Sequence, residues 1–154
     1  MKTYLDFAST TPMASEVIEK MHAVMSEASY GNPSSLDHQF GLSANKIVEE
    51  SRESVASLIN ANPDEILWTS GATESNNMAI VGFHQFQYKG QSMRFLSSHL
   101  EHKSVIESMH SIKDLGSSVC FIQPNEHGRI DFETFVNQME EDVIYVSCMH
   151  VNNE

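Results

Sequence analysis

Basic residues are scarce in this chain. Lysine and arginine number 9 against 21 acidic residues, for a net charge of −12. A nucleic-acid surface needs cations to neutralise phosphates, so this balance argues against nucleic acid as a general partner. It leaves room for a local basic pocket. Cysteine is scarce too. Cys120 and Cys148 are the two, each inside an apolar run. That placement is expected of buried, reduced thiols in a cytoplasmic protein rather than of a disulfide framework. No apolar run approaches the roughly 20 residues that span a bilayer, so no membrane association is expected. The opening Met1-Lys2-Thr3-Tyr4-Leu5-Asp6 lacks the apolar stretch of a secretory signal.

Several familiar motifs are also missing. The dinucleotide glycine pattern does not occur, and neither does the Gly-Lys-Ser/Thr of a P-loop. His99 and His102 bracket Glu101, but zinc-protease chemistry needs His-Glu-x-x-His, which sets both imidazoles on one helix face. No metal site is expected, beyond adventitious binding by some of the eight histidines. What is present describes an ordinary soluble globular domain. The 154 residues are 40% hydrophobic and 19% charged, long enough to bury one core.

The chain is organised around Ile66-Leu67-Trp68-Thr69-Ser70-Gly71-Ala72-Thr73-Glu74-Ser75-Asn76-Asn77. It reads as a strand over Ile66 to Thr69, a tight turn and a helix start. Gly71 permits positive φ, and Ala72 lets another group approach the backbone. Thr73 stands where an N-cap hydroxyl is expected. Free N–H groups and the positive dipole end then form a seat for an anion, most naturally a phosphate. The spacing alone is equally that of an ordinary capped turn.

Around this stretch, strands and helices alternate. An extended piece at Tyr4 to Ala8 is followed by a helix from about Ser15, with Val17, Ile18, Met21, Val24, Met25 and Ala28 on one face. A loop at Tyr30 to Ser35 precedes a longer helix, about His38 to Asn60. Lys89-Gly90 is expected to close the helix that starts at the turn. Strands are expected at Met93 to Ser97, Val119 to Ile122 and Val143 to Cys148. The last is continuously apolar, as a strand covered on both faces should be. Between them fall a helix from about Lys103 stopped by Gly116, and a short one capped by Asp131. This alternation predicts a mostly parallel sheet. Ligands of such sheets gather at the strand carboxyl ends, where three polar turns fall: Ser70 to Asn76, His99 to Lys103, and His150 to Glu154.

Those turns carry a resemblance. Tyr4-Leu5-Asp6 with Thr10-Thr11-Pro12, Gly31-Asn32-Pro33-Ser34, Thr69-Ser70-Gly71-Ala72-Thr73-Glu74-Ser75, Glu101-His102-Lys103 and Met149-His150-Val151-Asn152-Asn153-Glu154 occur in an order and spacing similar to the cysteine desulfurases. These are class V, pyridoxal-phosphate-dependent enzymes. The resemblance spans the whole chain and implies the large domain of the aspartate aminotransferase-like (fold-type I) architecture: α/β, three-layered, with a mostly parallel sheet, incomplete at the C-terminus. Residues 1–14 are then an N-terminal extended segment, and residues 15–154 the N-terminal part of that domain.

The resemblance also implies roles. Ala72 and Thr73 match the residues that hold the pyridoxal 5'-phosphate phosphate. His102 matches the histidine that stacks on the pyridine ring and takes part in proton transfer, both within an imidazole's means. Asn153 matches the asparagine near the phenolic oxygen, to which an amide donates without adding charge. Asn32 and His38 fall in a loop near the family's active-site and dimer region. The implied reaction takes L-cysteine through an aldimine on the cofactor, leaving alanine and an enzyme persulfide. The resemblance also implies a homodimer that passes sulfur to an acceptor, such as an iron–sulfur scaffold or a tRNA-modifying protein. Selenocysteine lyase chemistry remains open, because its distinguishing loop falls outside these residues.

Family members continue well beyond the position of Glu154. The Schiff-base lysine, its Ser-x-His-Lys motif, the aspartate on the pyridine nitrogen, the catalytic cysteine and a carboxylate-binding arginine find no match in this chain. Lys103 belongs to the earlier motif. Cys120 and Cys148 read as strand residues, whereas the nucleophile needs an exposed thiol of low pKa. The expectation is therefore one of two states. The chain is the N-terminal portion of a desulfurase, inactive by itself. Alternatively it is a non-catalytic fragment or split-enzyme half that binds phosphate or a partner chain without turnover. In either state the strand at Ile66 is expected to lack a sheet neighbour, and the strand at Val143 to expose an apolar edge.

Overall fold

The computed structural model describes residues 3–26, 30–87, 90 and 93–152. They divide into two compact units, residues 1–68 and 69–154.

The first unit is built on two helices. α1 covers Ser15–Ser26 and buries none of its residues, although its apolar stripe is present; Ala28 of that stripe lies outside the described residues. α2 covers Gln39–Ile59. Its ends follow from its flanking residues. The His38 side chain accepts the Gly41 N–H at 3.0 Å, and Asn60 closes the helix in the left-handed region at φ 56°, a conformation asparagine tolerates. The loop ahead of α2 folds tightly back on it. A Cβ at Gly41 would stand 1.7 Å from the Ser35 carbonyl oxygen, so only glycine fits there. Within the loop, Asn32 Oδ1 accepts the Ser34 N–H at 3.0 Å. Asn32 and His38 thus have local structural work, shaping a turn and capping a helix.

After α2, Pro63–Glu65 form a single 3₁₀ turn. Residues 66–69 belong to no helix and no sheet, although Ile66 itself is extended at φ −95° and ψ 121°. The expected strand is therefore absent, for a physical reason: a strand exists through its ladder bonds, and no described strand pairs with this segment. The Arg52 guanidinium takes over part of that role. It donates to the Ile66 carbonyl and lies 5.9 Å from the centre of the Trp68 ring.

The second unit holds the sheet. Helix α3 (Ala72–Asn77) runs through a π-helical segment (Met78–Gly82) into α4 (Phe83–Gln87); Lys89, expected to help close it, lies outside the described residues. Strand β1 (Arg94–Ser98) is the centre of a three-stranded sheet, with β2 (Ser118–Ile122) on one side and β3 (Val143–Val146) on the other. Both pairings are parallel. Helix α5 (Lys103–Asp114) connects β1 to β2, and α6 (Phe132–Gln138) connects β2 to β3. Gly116 at φ 99° ends α5, and Asp131 caps α6 by accepting the Thr134 N–H at 3.0 Å, as the sequence predicted.

The core forms on one face of β1. Ile80, Phe95, Val105, Met109 and Ile112 are all buried together, with Phe83 and Tyr145 packed against them. β1 is buried almost throughout, as a central strand should be. β3 is not. Its residues alternate between half-buried and exposed, with Ile144 43% and Val146 38% exposed. The expectation of a strand covered on both faces fails because β3 is a sheet edge with one open face.

Candidate functional site

The polar turns meet at the carboxyl end of β1. Ser98, the last residue of that strand, donates from Oγ to Glu101 Oε1 at 3.0 Å. Its Oγ also accepts the Leu100 N–H at 3.2 Å, which curls the turn. Glu101 is buried at 8% exposure. Its carboxylate also accepts the Met149 N–H, so the loop after β3 is tied to the loop after β1. Asn152 adds a second tie, donating from Nδ2 to the Leu100 carbonyl at 2.9 Å. A cleft of about 270 Å³ opens here, lined by Glu101, His102, Lys103, Met149 and Asn152 among others. A larger one of about 540 Å³ lies alongside, with Arg129, Phe132, Cys148 and His150 on its walls.

His102 is exposed and is the N-cap of α5. Its Nδ1 accepts the Ser104 N–H at 3.1 Å and lies 2.8 Å from Ser104 Oγ. The Ser104 hydroxyl in turn accepts from Asn76 Nδ2 at 2.8 Å. Asn76 sits on α3, which begins at the Ser70-Gly71-Ala72-Thr73 turn. This bond joins residues 28 apart and brings the predicted phosphate turn to the start of the His102 helix.

At that turn one expectation is corrected. Gly71, not Thr73, is the N-cap of α3; it is nearly fully extended at φ 157° and ψ −178°. Thr73 lies inside the first turn. The cap shifts because a threonine cap would need its own backbone extended, and the helix has already begun at Ala72. Ala72 and Thr73 are both exposed. As first-turn residues, they have N–H groups without an intrahelical acceptor. The carboxylate of Glu74 is engaged by Ser70, whose N–H and Oγ both donate to it at 2.6 Å. Those bonds hold its pKa below the usual carboxylate range. A Cβ added at Gly71 would meet nothing within 4 Å, so the mouth of the turn is open.

The cysteines are corrected as well. Cys148 lies past the end of β3 and is exposed, while Cys120 is half-buried within β2. Burial, and then the charge of Glu101, push the Cys148 thiol up. Asn153 lies outside the described residues. Among those described, no group of three or more His, Cys, Asp or Glu is arranged to hold a metal ion.

The family described as aminotransferase class-V matches residues 3–154. The chain belongs to that family. Class-V aminotransferases work with pyridoxal 5'-phosphate. Among class-V relatives, the cysteine desulfurase IscS of Pseudoalteromonas translucida is 43% identical over 152 residues, covering 98% of this chain and 37% of its own length. IscS of Pseudomonas aeruginosa (strain LESB58) is 42% identical with the same coverage. A solved NifS-like protein superposes with a TM-score of 0.92 at 33% identity, covering 100% of this chain and 42% of its own. SspA in complex with cysteine superposes at 0.89 with 32% identity, over 99% of this chain and 43% of its own. The chain thus spans a little over a third of the curated relatives it matches. Its three parallel strands and their helices are part of the pyridoxal-phosphate-dependent transferase fold of those structures.

The class-V cofactor suits what this chain presents: an open first turn with free N–H donors, a carboxylate already engaged elsewhere, and an exposed imidazole on a helix tied to that turn. Three contributors escaped the sequence reading as individual residues: Glu101, Asn76 and Ser104. For Ser104 a signal existed, since a hydroxyl two residues after a helix-capping histidine can bond back to its ring. Nothing marked Glu101 as buried, because a glutamate in a polar turn ordinarily points to water.

Proposed function

We propose that this chain forms the phosphate seat and ring-facing side of a cysteine desulfurase site. The observation that carries the reading is the Asn76–Ser104 bond of 2.8 Å. It joins the turn bearing Ala72 and Thr73 to the helix start bearing His102. Those are the two places where a phosphorylated aromatic cofactor needs contacts. Pyridoxal 5'-phosphate, when bound, supplies an electron sink for bonds at an amino acid's α-carbon.

The chain's residues do the rest. The N–H groups of Ala72 and Thr73, with the Thr73 hydroxyl, take the phosphate. His102 would face the cofactor ring and hold or move a proton beside it. Asn153 would serve the cofactor's phenolic oxygen with its amide. Glu101 holds the loop that carries Met149 and Asn152 against the His102 turn. In the complete reaction, the carbon–sulfur bond of L-cysteine breaks, the sulfur joins an enzyme thiol as a persulfide, and the carbon skeleton leaves as alanine. That SspA is solved with cysteine supports this substrate. The proposal extends to a cytoplasmic homodimer that delivers sulfur to an iron–sulfur scaffold or a tRNA-modifying protein.

We further propose that these 154 residues do not turn over cysteine alone. The raised pKa of the Cys148 thiol makes it a poor nucleophile at neutral pH, and Cys120 sits within a strand. The test supplies the chain with the C-terminal portion of an IscS relative and follows alanine release from L-cysteine. His102→Ala is expected to lower the rate by about 10²–10⁴-fold. Thr73→Val keeps the shape but removes a hydroxyl, and is expected to weaken cofactor binding by about 1–3 kcal/mol. Activity of His102→Ala within about twofold of the parent, too little for a lost acid or base, overturns the assignment.

A further inference from the structure

We infer that Ser104, through its backbone N–H and through a hydroxyl backed by Asn76, sets the proton order on His102, leaving Nδ1 as an acceptor and the imidazole proton on Nε2, so that the ring meets its ligand as an N–H donor. The argument starts from a group with no choice. The Ser104 backbone N–H only donates, and it points at His102 Nδ1 from 3.1 Å. Nδ1 therefore carries its lone pair, and the proton of the neutral ring sits on Nε2. Ser104 Oγ lies 2.8 Å from the same nitrogen, a distance that requires a proton between them. With Nδ1 bare, that proton is the hydroxyl's own. Having given it away, Oγ is left to accept, so Asn76 must turn its amide nitrogen toward it. The 2.8 Å contact from Asn76 Nδ2 to Ser104 Oγ is that bond. One backbone amide thus fixes a chain of three side chains, in which Ser104 is buried and Asn76 half-buried.

The consequence is chemical. To take up a proton at Nδ1, His102 must release the Ser104 N–H and uncap α5. To act from Nε2 as a base, it must first lose the proton held there. Asn76 and Ser104 are positioning residues that favour donation over abstraction. For its catalytic meaning this inference rests on the reading of His102 as the cofactor-facing residue; the proton order itself does not.

The experiment reads the ring directly. The full chain is labelled with ¹⁵N-histidine, and its tautomers are read by magic-angle-spinning NMR, which tolerates association. His102→Gln assigns the signal by its loss. The parent should show His102 with a bare Nδ1 and a protonated Nε2. In Asn76→Asp the new carboxylate only accepts, so it claims the Ser104 proton, and Oγ presents a lone pair to the imidazole. The Nδ1-protonated fraction should rise about fivefold. Adding Ser104→Ala breaks the relay and should return that fraction to within about twofold of the parent. A parent with substantial Nδ1–H, or an Asn76→Asp effect that survives Ser104→Ala and so acts through space, overturns the inference. Pyridoxal phosphate is then added as a separate arm. Perturbation of His102 Nε2 supports the donor role. A silent His102 overturns that role and the cofactor reading together, while the spectra without cofactor still decide the proton order.

Discussion

Replacing Glu101 should loosen the loop after β3 by an amount its bonds define. The carboxylate is buried and accepts from Ser98 Oγ and from the Met149 N–H. A hydrogen bond to a charged group contributes about 1.5–3 kcal/mol, against about 0.5–1.5 for a neutral one. Glu101→Ala removes the acceptor of the Met149 amide entirely. Its hydrogen exchange should accelerate about 10–150-fold, at about 1.4 kcal/mol per tenfold. Glu101→Gln keeps a carbonyl oxygen of similar reach and should accelerate it only about fivefold. Both variants remove the charge that, after burial, raises the Cys148 thiol. Iodoacetamide should therefore label Cys148 faster in both, at a pH near 8. Exchange is followed by mass spectrometry on the peptide holding Met149. Equal exchange in the Gln and Ala variants would refute the hydrogen-bond argument, and unchanged labelling would refute the electrostatic one.

Other outcomes follow from the same structure. Phe95 is fully buried, with the rings of Phe83, His84 and Tyr145 within 6.3 Å; Phe95→Ala should cost about 3–5 kcal/mol and strip helical circular dichroism from residues 69–154 at mild urea, which an unchanged melt would contradict. Burial raises the folded-state pKa of Tyr145, and burial and then Glu101 raise that of Cys148. The folded state thus holds these protons longer than the unfolded one. Their stabilisation is complete below about pH 8.5 and lost as pH rises through the folded values; urea midpoints that stay flat or rise from pH 8 to 10 would contradict this. The half-open edge strand β3, with Ile144 and Val146 exposed, should drive self-association, and elution as a clean 17.3 kDa monomer would argue otherwise. Pyridoxal phosphate with borohydride should label no single lysine, and specific trapping on Lys103 would refute the division of labour proposed for this chain.

The elements were legible where local chemistry decides them. His38 and Asn60 bound α2, Gly116 stops α5 and Asp131 opens α6, because caps and left-handed residues act within a few positions of themselves. The parallel sheet followed from alternation alone. Two segments turned on partners rather than on composition, as the expected missing neighbour at Ile66 and the expected open apolar edge at Val143 show. Ile66 to Thr69 has the composition of a strand, but pairing is supplied by another segment, and none of those described provides it. β3 has the composition of a covered strand, yet burial depends on what lies across its face. The same limit held for the site. Thr73 falls two residues past the cap, inside the first turn, and Cys148 moved from an expected strand to an exposed loop.

The sequence by itself determined the local punctuation, the order of strands and helices, and the set of turn motifs that mark the family. Those depend on residues near one another in the chain. Only the tertiary structure decided that Glu101 is buried against the loop after β3, and that Asn76 reaches Ser104 and through it His102. Such bonds join residues 28 and 48 apart, and their energies exist only once packing has excluded water from between them.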